Sequence, residues 1–448
     1  MKRFFGTDGI RGKANKYPLT VDFVLKLGQA SAKLFKNGNK EHYIVVGKDT
    51  RVSGYLFEYA IVSGICSMGI NATLVGVMPT PAIAFLIRSL RADAGVVISA
   101  SHNPYYDNGI KFFSSKGLKL SDALEEKIED FILSNNLEVS DKSIGKAYRI
   151  ETAIWRYVEY VKTTFDKDID LKNIKIVVDC ANGANYKIAP LAFSELGAKV
   201  IPINNNPDGY NINERCGSTF TDGLAKKVIE EKADLGISFD GDGDRVIFVD
   251  EYGSVINGDY ILGICAIYLN EINALNNSAI VANVMSNMGL KLSLNNRGIK
   301  VISCPVGDRY VVETMLSNGI ILGGEQSGHI VFLGHNSTGD GLISALQLLK
   351  VMIKKNKRLS ELKKCINMLP QVQKNIKLEK EIAIEQLEKT KIALDKVRSD
   401  LGSKGRVLIR KSGTENALRL LLEGEDLNKI SKLADYLIET VSRELVSI

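Results

Sequence analysis

Cysteine is sparse and never paired in this chain. The six residues stand at 66, 180, 216, 265, 304 and 365, too scattered for a zinc site or a disulfide framework. Buried free thiols in a reducing cytoplasm account for them. An excess of one charge sign is lacking too. The net charge of +6 is mild and is spread as mixed Lys and Glu, as in KLEKEIAIEQLEKTK. That is the pattern of solvated helix faces, and it excludes a basic stripe for nucleic acid. No apolar run continues long enough to read as a membrane span. Residues 59–87 carry no charge, yet Gly64, Gly69, Asn71, Pro79 and Pro81 interrupt them. The segment divides into a buried helix, the strand ATLVGVM and a second helix beginning near the two prolines. The opening MKRFFGTDGIRG has no apolar core of signal-peptide length and reaches Asp8 at once. The expectation is a cytoplasmic protein with neither a membrane nor a nucleic-acid partner.

What is present is a recurring order of strand, turn and helix. A chain of 448 residues suggests roughly three domains at about 150 residues each. YIVVG, IKIVVDC, LGISFD and AIVANV are β-branched, nearly continuous apolar runs, as expected of parallel strands covered on both faces. Helical periods separate them. Behind Ser121, a candidate cap, Leu124, Ile128, Phe131 and Ile132 mark one face of an amphipathic helix. Ile154, Val158 and Val161 mark another, with Trp155 expected in the core. The pattern predicts three α/β units, 1–150, 151–255 and 256–370, with no strict sequence period. A smaller fourth domain follows at 371–448. It is read as a Lys/Glu-rich helix, a strand pair around RKSGTEN, and a final helix with Leu427, Ile430, Leu433, Leu437 and Val441 on one face.

Four polar loops stand out. In FDGDGDRVIFVD, Asp240, Asp242 and Asp244 at alternate positions crowd three carboxylates between two apolar strands, which favours a bound cation over an exposed acidic turn. The spacing imitates a calcium loop as far as Glu251, but Arg245 replaces the turn glycine and strands flank it. In VVISASHNPYYDNGIKFF, Ser101 follows a strand end, where open α/β sheets place ligands. Adjacent residues on a strand point apart and no G-x-S-x-G elbow is present, so Ser101 and His102 make a poor hydrolase pair. Ser99 reads as a hydrogen-bonding neighbour, and His102 alone reads equally as a structural imidazole. GGEQSGH offers Glu325 and Ser327 to hydroxyl groups, or is a simple turn. RKSGTEN offers Arg410, Ser412, the amides of Gly413 and Thr414, and then Arg419, a phosphate-binding set or a hairpin with surface arginines.

Taken together, FGTDGIRG, ISASHNP, DGDGDR, GEQSGH and the SGTE loop, in this order, resemble the α-D-phosphohexomutases over nearly the whole chain. FGTDGIRG, GKDTRVSG, VMSNMGL, VGDRYV and GEQSGH resemble the bacterial phosphoglucosamine mutase branch. The resemblance implies an α/β fold, with three similar mixed-sheet α/β domains plus a smaller C-terminal α+β domain around a central cleft. It implies that Ser101 carries a phosphoryl group and that Ser101, Asp240, Asp242 and Asp244 hold one Mg²⁺. Arg11, His102, Lys111 and Arg245 would surround the moving group with positive charge, Lys111 or His102 transferring protons. Glu325, Ser327 and Arg309 would bind the sugar, and Arg410, Ser412, Gly413, Thr414 and Arg419 its other phosphate. Lys411 and Asn416 stand where relatives commonly have prolines beside the SGTE core.

The activity so implied interconverts glucosamine 6-phosphate and glucosamine 1-phosphate through a 1,6-bisphosphate, feeding UDP-N-acetylglucosamine and cell-wall synthesis. A glucose- or glucosamine-1,6-bisphosphate would serve as activator, a kinase or autophosphorylation would first load Ser101, and a homodimer is compatible. Two alternatives stay open on the sequence. One is a phosphoglucomutase or phosphomannomutase, separable by assaying the three sugar phosphates in parallel. The other is a non-catalytic sugar-phosphate sensor on the same scaffold, against which the intact serine and aspartates argue.

Overall fold

Runs of valine and isoleucine set the interior strands of the computed structural model, which describes residues 3–36, 41–134, 136, 137, 139, 143–378, 387–411 and 417–446. By its internal contacts the chain divides into two units, Met1–Met285 with Arg297–Cys365, and Ser286–Asn296 with Ile366–Ile448.

Among the described residues the first unit holds three sheets. The first contains β1 (Ile10–Lys13), β2 (Tyr43–Lys48), β3 (Asn71–Val77), β4 (Ala94–Ile98), β5 (Asp107–Ser114) and β6 (Ala147–Arg149), in the order β1-β5-β4-β2-β3-β6. The second contains β7 (Lys175–Asp179), β8 (Lys199–Ile203), β9 (Leu235–Phe239), β10 (Val246–Asp250) and β11 (Val255–Ile256), in the order β11-β10-β9-β7-β8. The third contains β12 (Ala279–Asn283), β13 (Lys300–Cys304), β14 (Leu322–Gly324) and β15 (Ile330–Phe332), in the order β13-β12-β14-β15. One arrangement recurs in all three. Two parallel neighbours flank a central strand, and one of them turns back through a hairpin into an antiparallel strand: β4 into β5, β9 into β10, β14 into β15. The strands read from the sequence as parallel are β2, β7, β9 and β12, and each has at least one parallel partner.

The helices Val21–Phe35 and Val52–Ser67 pack against each other where both lack side chains. A Cβ on Gly28 would lie 2.4 Å from the Ile61 carbonyl oxygen, and one on Gly64 would lie 2.1 Å from that of Leu25. The part of the second helix from residue 59 onward was expected to be buried, yet Tyr59 is exposed, as are Tyr55 and Leu56 before it. Trp155 is also exposed, at 54%. Its helix, Ala153–Thr163, turns Ala153, Tyr157, Val158 and Val161 inward and carries the tryptophan outward.

The second unit holds β16 (Gln371–Lys377), β17 (Arg406–Lys411) and β18 (Ala417–Glu423), all antiparallel in the order β16-β18-β17. Val407, Leu420 and Leu422 pack against Leu394, Val397, Ile430 and Leu437 of the helices Glu388–Leu401 and Leu427–Val446. The helix expected from residue 371 is instead a strand first, because the alternation in QVQKNIK matches the period of β18 beside it. Leu427, expected on the buried face, lies 53% exposed in the first turn.

Gly64→Ala tests the helix contact. Overlap with a backbone oxygen, which cannot rotate away, outweighs the better helix propensity of alanine, and the free energy of unfolding should fall by about 1–3 kcal/mol, lowering the urea midpoint. An unchanged urea midpoint would show that the two helices have room to separate.

Candidate functional site

The three hairpins carry three of the polar loops. Ile98 pairs with Ile110 across the loop that holds Ser101. Phe239 pairs with Val246, which leaves Asp240 through Arg245 as a tight connection. Gly324 pairs with Ile330 across Glu325–His329. Because each loop leaves the same position of an equivalent sheet, like ends can converge, and backbone bonds tie the acidic hairpin both to the Glu325 loop and to the start of the helix Thr80–Ser89. Val246 N–H donates to the Gly328 carbonyl at 3.1 Å, and Thr80 N–H to the Asp242 carbonyl at 2.8 Å.

At the meeting point the Ser101 hydroxyl donates to Asp240 Oδ2 at 2.6 Å, and both residues are buried. Oxygens of Asp240, Asp242 and Asp244 lie within 4.8 Å of one another. Burial pushes the Asp240 carboxyl well above the usual carboxylate range, and the charges of Asp244 and Asp242 push it further. Burial works the same way on Asp244, but Lys111 and His329 outweigh it and hold that group below its ordinary value. Asp242 Oδ1 and Asp244 Oδ1 are buried without a hydrogen-bond partner. Two orphaned carboxylate oxygens beside a third acid are the donor set of a divalent cation, so the residues fit a metal. Glu251, the twelfth position of the calcium-like spacing, turns away to accept from Ser360 Oγ at 2.6 Å.

Cations surround the cluster. Lys111 Nζ lies 2.9 Å from Asp242, 3.1 Å from Asp8 and 3.8 Å from Asp244. These charges overcome the burial that would otherwise lower its pKa, so the ammonium keeps its proton. Arg11 pairs with Asp8 and reaches the Ala100 carbonyl at 3.4 Å, just before the serine. Arg245 donates its own backbone N–H to Asp240 at 3.2 Å, and its Nη1 lies 3.2 Å from His102 Nδ1. His102 Nδ1 in turn lies 3.4 Å from Ser101 Oγ. The expectation of a positive His102 is corrected here. Burial, then Arg245 and Arg11, lower its pKa to about 4, so the ring is neutral at pH 7 and adds no charge.

The GEQSGH loop joins the same locality. Glu325 accepts from Asn283 Nδ2 at 2.7 Å and from Ser327 Oγ at 3.3 Å, and its charge helps raise the Arg245 pKa. Arg309 does not present itself to a sugar. Its guanidinium is held by Asp122 and, at 2.7 Å, by Glu125, tying the third sheet's unit to the helix Asp122–Leu133. In the second unit Arg410 and Arg419 face each other across β17 and β18, and the Nε of each is buried without a partner. Burial and the charge of Arg419 lower the Arg410 pKa, the state of a guanidinium pair suited to an anion. Ser412, Gly413 and Thr414 lie outside the described residues.

Several contributors escaped the sequence reading. Asp8 sits inside a motif that was read only for Arg11. His329 closes GEQSGH and lies 3.6 Å from Asp244, with the Gly339 N–H donating to its Nε2 at 3.1 Å. Thr80, whose hydroxyl donates to Asp242 at 2.7 Å, gave no signal beyond its neighbouring prolines. A groove of about 640 Å³, lined by Asp168, Asp170, Lys357 and Arg358 among others, includes none of these residues in its lining. No helix among the described residues is long and apolar enough to cross a membrane.

The comparisons agree along the chain. Models described as phosphoglucomutase/phosphomannomutase alpha/beta/alpha domains I, II and III match residues 2–138, 155–253 and 257–368, and the C-terminal domain model matches 356–440. A phosphoglucosamine mutase of Citrifermentans bemidjiense is 52% identical over 448 residues, 99% of both chains. A phosphoglucomutase/phosphomannomutase family protein from Burkholderia thailandensis, 23% identical, superposes with a TM-score of 0.81 over 98% of this chain and 97% of its own. N-acetylphosphoglucosamine mutase of Aspergillus fumigatus, solved with GlcNAc-6P and magnesium, is 15% identical and superposes at 0.68 over 99% and 96%.

The His102 environment has a measurable consequence. An unfolded imidazole takes up a proton near 6.5, whereas the folded one resists until about 4. Stability from this residue is therefore complete above pH 6.5 and is lost as pH falls toward 4. With four histidines in the chain, NMR titration should resolve one imidazole with a midpoint near 4 that disappears in His102→Asn. A midpoint at or above 6.5 for that signal would contradict the geometry.

Proposed function

The chain belongs to the phosphoglucomutase/phosphomannomutase family, and on that premise we propose that it interconverts glucosamine 6-phosphate and glucosamine 1-phosphate through a phosphoserine at residue 101. One observation carries the reading: the hydroxyl of a buried serine sits 2.6 Å from the first of three clustered aspartates. A nucleophile at such a place repels its own phosphoryl group unless a cation neutralises the acids. Mg²⁺ fits the donor set, and the Aspergillus enzyme of the same fold was solved with magnesium; when bound, the ion would neutralise the carboxylates and the charge on the transferring group.

The residues of the chain divide the remaining work. The phosphoryl group passes from Ser101 Oγ to the sugar O1, whose proton is released while Oγ regains one. The bisphosphate so formed turns and returns its 6-phosphoryl group to Oγ, which gives up its proton as O6 gains one. Lys111 and Arg245 stay charged and offset the three equatorial oxygens. His102, neutral at pH 7 with Nδ1 3.4 Å from Oγ, takes up the Oγ proton in the return transfer. Glu325 and Ser327 receive sugar hydroxyls, and Arg410 with Arg419 binds the phosphate that is not transferred. The same reading takes in a 1,6-bisphosphate sugar as activator, first phosphorylation by a kinase or by the enzyme itself, a homodimer, and a cytoplasmic place upstream of UDP-N-acetylglucosamine.

Ser101→Ala should abolish turnover of glucosamine 6-phosphate and leave the melting curve near that of the parent, because one loop hydroxyl contributes little to folding. The parent should prefer glucosamine 6-phosphate over the glucose and mannose phosphates in parallel assays. Activity near the parent level in Ser101→Ala excludes the covalent route, and a preference for glucose or mannose phosphate moves the enzyme to another branch.

A further inference from the structure

The GKDTRVSG segment takes no part in the chemistry described so far, yet it contains one of the most deeply buried large side chains in the molecule. Arg51 is fully buried, and each of its five N–H groups has an acceptor. Nε donates to Asp49 at 2.8 Å, and Nη2 to the carbonyls of Ser101 at 2.9 Å and Asn103 at 2.8 Å. Nη1 donates to the carbonyl of Asp107 at 3.0 Å and to that of Pro104. Four of the five bonds therefore go to the backbone of one short loop.

That loop holds its serine in an uncommon conformation. Ser101 has φ +52°, in the left-handed region that non-glycine residues seldom occupy. Both peptide groups of Ser101 trace back to the Asp49–Arg51 pair. The Ser101 N–H donates to Ser99 Oγ at 2.9 Å, and Ser99 Oγ donates to Asp49 at 2.7 Å. A second clamp comes from the neighbouring sheet's unit, where Asn213 Nδ2 donates to the Ser101 carbonyl at 2.9 Å and the Asn103 carbonyl at 3.0 Å. Gly241 allows the approach, since a Cβ there would lie 2.6 Å from the Ser101 carbonyl oxygen.

We propose that Arg51, assisted by Asn213, is a positioning residue that fixes Ser101 by its backbone, so that Oγ keeps one location whether or not it bears a phosphoryl group. The proposal rests on the reading of Ser101 as the phosphoryl carrier. Asp49 neutralises the guanidinium at contact distance, so Arg51 acts through geometry and not as a charge on the phosphate. Lysine at this position keeps the ion pair with Asp49 but has only three N–H groups on one nitrogen and cannot span four carbonyls. A serine freed from its backbone clamps spends less time aligned for transfer, and this lowers kcat while leaving substrate binding alone.

Steady-state kinetics on full-length Arg51→Lys and Asn213→Gly, each assayed well below its own melting temperature, test this. Glycine is chosen at 213 because Asn213 has φ +57°. The expected result is a ten- to hundredfold fall in kcat with KM within twofold. Parent-like kcat in both folded variants, or a raised KM at unchanged kcat, overturns the proposal. If Arg51→Lys does not fold, Asn213→Gly decides. Ser101→Ala, run beside them, separates the two failures: an active alanine variant removes the carrier reading and this proposal with it, whereas an inactive one with parent-like clamp variants removes this proposal alone.

Discussion

Asp240, Asp242 and Asp244 share one hairpin connection, and all three are buried. Taking three carboxylates out of water within a single turn is unfavourable, by several kcal/mol for each that is ionised and not compensated. The surroundings of this turn can be read as the compensation. Lys111 arrives from β5, Arg245 from the base of the same hairpin, His329 from the third sheet and Thr80 from the start of a helix. Even so, two carboxylate oxygens remain without a partner, a donor set that fits a divalent ion. A serine hydroxyl held against such a cluster is set up for chemistry that moves negative charge.

The scaffold delivers these groups by repetition. Three sheets each end a parallel strand in a hairpin, and each hairpin carries a different set of side chains: Ser101, the three aspartates, or Glu325 and Ser327. Rigid strands at both ends of a short loop restrict where its side chains can go. This explains why the alternate spacing of the aspartates holds all three in one locality although the turn is not a calcium loop. The fourth sheet repeats none of this, being antiparallel throughout, and what it presents is two facing arginines, Arg410 and Arg419.

What the sequence made legible was what local chemistry determines. Apolar β-branched runs marked β2, β7, β9 and β12, and the crowding of like charges marked the acidic turn. The antiparallel returns β5, β10 and β15 were not separable from the strands before them, since a hairpin return carries the same composition as a parallel strand. Residues that meet only in space left no pattern either. Thr80 and Asp242 are 162 positions apart, and Asn213 and Ser101 are 112 apart. Arg309 was assigned to a sugar because it is a cation inside a family motif, and only the fold reveals Asp122 and Glu125 against it. Trp155 shows the limit of hydropathy alone, since one step around its helix moves a side chain by about 100° and takes it from the interior to the surface.

The central claim is that Ser101 passes its phosphoryl group to the sugar. It is tested most directly by isolating the phosphorylated protein with ³²P on Ser101, mixing it with excess unlabelled glucosamine 6-phosphate and Mg²⁺, and following the label within one turnover. Label should leave the protein and appear in a sugar bisphosphate and then in sugar monophosphate, at a rate matching kcat. Label that stays on the serine while unlabelled product accumulates would contradict the account.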